Sequence, residues 1–101
     1  MPNTILVTGA SGGTGRRVIS ALIKRGAQVR AFIRREDAKQ ILAPLGVEEF
    51  AFGTLEDSSS LDQAMRGADQ LLHICPPMHP QEDKIAITLT DLCKKNNISR
   101  L

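Results

Sequence analysis

Tyrosine and tryptophan are both absent from the 101 residues, and three phenylalanines are the only aromatics. Single-stranded nucleic acids are held on aromatic platforms beside a basic groove. Here the basic pairs Arg16-Arg17, Arg34-Arg35 and Lys94-Lys95 are scattered, are not interleaved with aromatics, and leave a formal net charge of only +2. The reading therefore includes no nucleic-acid partner. Cysteine is scarce too: Cys75 and Cys93 have no C-x-x-C or zinc spacing, so both thiols are expected to stay reduced in a cytoplasmic setting, with no metal bound. Long apolar runs are missing. Nothing approaches the roughly 18 residues of a membrane span, and Ile5-Leu6-Val7 is too short, and lacks the basic leader, for a signal peptide. No membrane partner is expected.

What is present is an ordinary globular composition, 42% apolar and 24% charged, with room for one domain spanning residues 1–101. Its main signal is apolar periodicity that switches repeatedly between strand and helix. Thr4 to Thr8 reads as a short buried strand ending at Gly9. Gly13 to Arg25 reads as a helix with Val18, Ile19, Leu22 and Ile23 on one face and Gly26 as its stop. A second strand runs from Gln28 to Ile33. Ala38, Ile41, Leu42 and Leu45 mark a second helix closed by Gly46, and Val47 to Phe52 is a more polar third strand, suited to a sheet edge. Leu61, Ala64, Met65 and Ala68 repeat the helical spacing behind a Ser58-Ser59-Ser60 capping region, with Asp57 also placed to cap. Gln70 to Ile74 is a fourth strand, stopped by Cys75-Pro76-Pro77, and a last helix runs from Gln81 to Asn97. Ile98 to Leu101 resembles the opening of a fifth strand that is not completed. Strict β-α alternation implies an α/β, doubly wound parallel sheet of Rossmann type in three layers, truncated after about four strands. The edge Leu71-Leu72-His73-Ile74 would then be unpaired, and self-association through it is expected.

Between the first strand and first helix lies Thr8-Gly9-Ala10-Ser11-Gly12-Gly13-Thr14-Gly15. Glycines joining a buried strand to an amphipathic helix form a phosphate-binding turn. Gly9 permits the exit from the strand, Gly12 leaves room for a phosphate against the main chain, and Gly15 brings the helix close to the strand. The amides of Gly13, Thr14 and Gly15 are left for an anion, and Ser11 can donate to a phosphate oxygen or serve only as a turn former. Arg16 and Arg17 in the first helical turn oppose the helix dipole unless an anion is near, and they can equally be solvated. If the strand order is 3-2-1-4, the ligand crevice lies between strands one and four, with Ile74, Cys75 and Pro76 as its far wall. The ligand so implied is a nicotinamide dinucleotide.

The residue after the second strand distinguishes the two forms of that ligand. An acid there grips the ribose 2′-OH of NAD. This chain has Arg34-Arg35 instead, with Lys39 nearby, which suits the 2′-phosphate of NADP, so NADP is preferred and NAD is second. The alternative is a solvated charge run at the start of the next helix. His73 and His79 have no partners at ligand spacing, and Lys84, Lys94 and Lys95 read as a solvated helix face.

The Thr8–Gly15 loop, the Arg34-Arg35 ending and the segment Gly53-Thr54-Leu55-Glu56-Asp57 together resemble the atypical short-chain dehydrogenases of the NmrA-like, NAD(P)H-binding group. The resemblance covers the first half of a family member. It implies an NADPH-dependent oxidoreductase, with a main-chain contact from Leu55 to the adenine. The family's first acid in this segment is replaced here by Thr54. It also implies that the remaining strand, active-site helix and substrate region would follow Leu101. Many reductases of the wider group use a Tyr-x-x-x-Lys pair, and a chain without tyrosine cannot supply it. Two functions stand open at this point: a dinucleotide-binding domain of an oxidoreductase without chemistry of its own, or an NADP(H)-sensing module acting through a protein partner.

Overall fold

Alternation along short apolar strands decides the architecture. The computed structural model describes residues 3–74 and 81–100. Its first strand, β1 (Thr4–Val7), sends Ile5 and Val7 into one buried cluster and Leu6 into another. The next strand, β2 (Gln28–Ile33), divides in the same way, with Val29, Ala31 and Ile33 on one side and Phe32 on the other. Strands buried on both faces must be covered by helices on both faces. One layer is α1 (Gly13–Lys24) with the short α2 (Ala38–Leu42), and the other is α3 (Ser58–Met65) with α4 (Glu82–Lys95). The remaining strands are β3 (Glu49–Phe52), β4 (Gln70–Leu72) and β5 (Ser99–Arg100). All neighbours are parallel, in the order β3-β2-β1-β4-β5. The chain winds outward from β1 through β2 to β3, then returns to the other side of β1. The doubly wound, three-layer Rossmann-type fold is thus present, with its reversal point between β1 and β4.

Several element bounds differ from the sequence reading, each for a local reason. Pro44 has no amide proton to continue an α-helical ladder, so α2 stops at Leu42 and tightens into a 3-10 turn over Ala43–Leu45. Ile41, expected on the core face, is 46% exposed. Val47 is buried but precedes β3. Pairing along β4 ends at Leu72, opposite Val7, because β1 turns away just beyond. The three serines are the first turn of α3 and not a cap before it; the Asp57 carboxylate is the cap, accepting the Ser59 amide at 3.1 Å. The fifth strand does form, over two residues, pairing Ser99 with Gln70 and Arg100 with Leu71. The β4 edge expected to be bare is therefore covered at those two positions.

Polar side chains tie the layers together. Arg30 reaches from β2 to the end of α3, where its guanidinium donates to the carbonyls of Ala64 and Arg66 at 2.7 Å each and pairs with Glu49 at 3.4 Å. Asp62 on α3 accepts from Asn96 at 2.9 Å and Lys95 at 3.1 Å, bracing α3 against the end of α4. Those hydrogen bonds, the Asn96 one foremost, hold its carboxyl below the usual carboxylate range. Lys95 is exposed, as expected of a solvated face, while its ammonium also reaches Asp62. No helix among the described residues is long and apolar enough to cross a membrane.

Candidate functional site

At the carboxyl end of β1 the chain must leave the sheet beside the segment that follows β4. Gly9 does so with φ +67°, and a Cβ at that position would overlap the Ile74 carbonyl. The approach is fastened by Thr8, whose side chain is fully buried. Its amide donates to Leu72 at 3.0 Å, and its Oγ1 accepts the Ile74 amide at 3.0 Å and shares a 2.6 Å hydrogen bond with His73 Nδ1. Sequence reasoning assigned neither Thr8 nor His73 to this clasp. The ends of β1 and β4 are thereby locked side by side, which fixes the floor of the reversal-point crevice.

The loop then enters α1. The first helical bond is Arg16 N–H to the Gly12 carbonyl, at 2.9 Å. The amides of Gly13, Thr14 and Gly15 precede it and have no acceptor among the described residues. Gly12 provides no side-chain cap, and the first turn has no acid. Three donors and the positive end of the helix dipole are left together, an arrangement suited to an anion. Gly15 is buried, and a Cβ on it would overlap the Gly9 carbonyl oxygen and come within 2.8 Å of that of Ala10. It is therefore needed for contact with the loop's own carbonyls, not with the strand as the sequence reading supposed. Gly12 and Gly13 differ. A Cβ on Gly12 meets nothing nearer than the Gly9 oxygen at 3.7 Å, and one on Gly13 meets nothing within 4 Å. Protein packing does not demand glycine at either position, which leaves open space where a ligand can touch the main chain.

These residues line a cleft of about 490 Å³, within the range of cofactor sites. Gly9 to Gly15, including Ser11, form its base. Phe32, Ile33 and Arg34 at the end of β2 form one rim with Leu55 and Glu56, and Ile74 forms the other side. Of the residues singled out in the sequence, Gly9, Ser11, Gly12, Gly13, Thr14, Gly15, Arg34, Leu55 and Ile74 are thus brought together. Arg35 and Lys39 are not in the lining. Arg35 is exposed, and the Lys39 ammonium pairs with Glu36 at 3.4 Å while lying 5.0 Å from the Phe52 ring centre and 5.6 Å from that of Phe50. Cys75 and Pro76, expected on the far wall, lie outside the described residues, as does His79. The sequence reading omitted Ala10, Phe32, Ile33 and Glu56. The last residues of β2 could have been found from the rule that ligands meet the carboxyl ends of strands at the reversal point.

Comparison with known proteins gives the family. A family model described as NAD(P)H-binding matches residues 9–101. Sterol demethylase protein B of Methylococcus capsulatus is 46% identical over 70 residues, covering 69% of this chain and 21% of that protein. Sanguinarine reductase of Eschscholzia californica is 36% identical over 85 residues, covering 79% of this chain and 30% of its own length. The structure of an NADPH-dependent quinone oxidoreductase from Escherichia coli, complexed with NADPH, superposes with a TM-score of 0.80 at 27% identity, covering 93% of this chain and 34% of that one. The chain therefore spans about a fifth to a third of the length of these relatives.

Proposed function

Because the chain belongs to the NAD(P)H-binding family, we propose that its cleft takes NADP(H), with the pyrophosphate on the Gly13, Thr14 and Gly15 amides. The observation that carries this reading is the set of three adjacent amides with no acceptor among the described residues, beside two glycines that packing does not require. The residues present fit the ligand. Ser11 stands at the base for a phosphate oxygen, and Gly12 leaves the space its approach needs. Arg34 lines the rim where the adenosine ribose belongs, and its guanidinium suits a 2′-phosphate through paired charge-assisted bonds. Arg35 and Lys39 stand outside that rim, Lys39 paired with Glu36. NAD fits the same cleft without the Arg34 contact. Leu55 offers main chain to the adenine, and the Ile74 side faces the nicotinamide half.

When bound, the dinucleotide supplies or accepts a hydride at its nicotinamide ring. This chain's part is to bind and orient it, since it has no tyrosine for a Tyr/Lys proton relay. We read residues 1–101 as one nucleotide-binding unit of an NADPH-dependent reductase, in keeping with the reductase and oxidoreductase among its relatives. The test is a fluorescence titration with NADPH and NADH. NADPH is expected to bind tighter by about tenfold or more, the worth of hydrogen bonds to a charged group. Arg34→Ala should bring NADPH to the NADH level, and an unchanged preference would overturn the 2′-phosphate assignment.

A further inference from the structure

Leu55 and Glu56 reach the cleft from a tight turn that is braced from behind by one side chain. The Asp57 amide donates to the Thr54 carbonyl at 3.1 Å, which makes Leu55 and Glu56 the two central residues of a β-turn between β3 and α3. Behind the turn stands Ser60, half-buried in the first turn of α3. Its Oγ accepts the Thr54 amide at 3.3 Å. Its one proton is shared between the Asp57 carbonyl at 2.8 Å and the Thr54 carbonyl at 3.2 Å. One hydroxyl therefore holds both ends of the turn. Gly53 admits it: a Cβ there would overlap Ser60 Oγ and Cβ and stand 2.9 Å from Phe32 Cζ. Phe32 in turn lines the cleft.

We propose that Ser60, seated against Gly53, is a positioning residue that fixes the Leu55–Glu56 wall against the adenosine half of the dinucleotide. The inference rests on the dinucleotide reading above. The choice of half follows from the sheet order: the wall lies on the β2–β3 side of the reversal point, with Arg34, whereas Ile74 lies on the β4 side. The residue at the end of the second strand meets the adenosine ribose, so the wall beside it meets the adenosine half.

The test compares Ser60→Ala with wild type, and with Ser59→Ala as a control, because the exposed Ser59 side chain is no part of the clamp. Ligands are 2′,5′-ADP, nicotinamide mononucleotide and NADPH. Ser60→Ala is expected to weaken 2′,5′-ADP and NADPH by about five- to tenfold, the worth of one or two hydrogen bonds, and to leave the mononucleotide unchanged. Gly53→Ala, which displaces the same hydroxyl from the other side, should show the same selectivity. In the ligand-free protein, amide exchange in Ser60→Ala should quicken at Thr54 and Asp57, whose amides the clamp and the turn hold, and not in α1. Equal affinities, an equal loss for all three ligands, or unchanged exchange at the turn would each overturn the assignment. If wild type binds none of the three, the dinucleotide reading itself fails and takes this one with it.

Discussion

Gly12→Ala separates what the fold needs from what the ligand needs. At φ −74° and ψ 170° the backbone of Gly12 suits any residue, and the new methyl group would find nothing nearer than the Gly9 oxygen at 3.7 Å, an ordinary contact. Two small terms then act on stability. Alanine reduces the freedom of the unfolded chain, which favours folding by about 0.4–1 kcal/mol. It is also a poorer helix cap than glycine, which costs a similar amount, on the order of 0.5–1 kcal/mol. They offset, so the melting temperature should move by no more than a few degrees either way. Binding has no such compensation. If a phosphate oxygen touches the main chain at Gly12, the methyl group occupies its place, and overpacking of a close contact costs about 1–3 kcal/mol, or roughly five- to 150-fold in affinity. Thermal unfolding by circular dichroism and titration with NADPH on the same sample read the two effects separately. Undiminished NADPH affinity in a normally folded Gly12→Ala would refute the claim that the open space above Gly12 belongs to the phosphates.

Gly15→Ala should behave in the opposite way, because its Cβ overlaps backbone carbonyls that cannot swing aside. A loss of about 1–3 kcal/mol of stability is expected even without ligand, and an unchanged melting temperature would contradict the close joint between loop and helix. Thr8→Val keeps the shape of a fully buried side chain but leaves the Ile74 amide without its acceptor. The expected cost is about 1–3 kcal/mol in denaturant unfolding, with faster amide exchange at Ile74. For Asp62, the lowered carboxyl pKa means that its bonds to Asn96 and Lys95 stabilise the fold above the ordinary carboxylate value and cease to do so as pH falls through the depressed one. Asp62→Asn should therefore be less stable than wild type at neutral pH, the difference vanishing in acid. A gap that persists below the depressed value would argue against the charge as its cause.

The layers were legible because the strands are short, apolar on both faces and separated by amphipathic helices, which only a covered parallel sheet can satisfy. The glycine loop was legible for the same kind of reason: its residues act through their own backbone, and strand, loop and helix are contiguous in sequence. Contacts between distant segments were not. Thr8 reads as the last residue of a strand until it is seen to hold His73 and Ile74, 65 and 66 positions away. Arg30 reads as a charge in an otherwise apolar strand, yet it closes the end of α3. Lys39 shares its neighbourhood in sequence with Arg34, but the α2 turn carries it to the Phe50 and Phe52 rings at the sheet edge. In each case the deciding partner comes from the sheet register or the helix docking, which local pattern does not specify. Pro44 is the exception, a visible breaker inside a helical stripe whose spacing ran straight through it.

The central claim is that the amides opening α1 grip a pyrophosphate, and amide chemical shifts followed during NADPH addition test it most directly. The largest changes are expected at Gly12 through Gly15, with smaller ones at Arg34 and Leu55 and almost none on the outer face of α4. Shifts confined to other surfaces, or none at millimolar nucleotide, would contradict it.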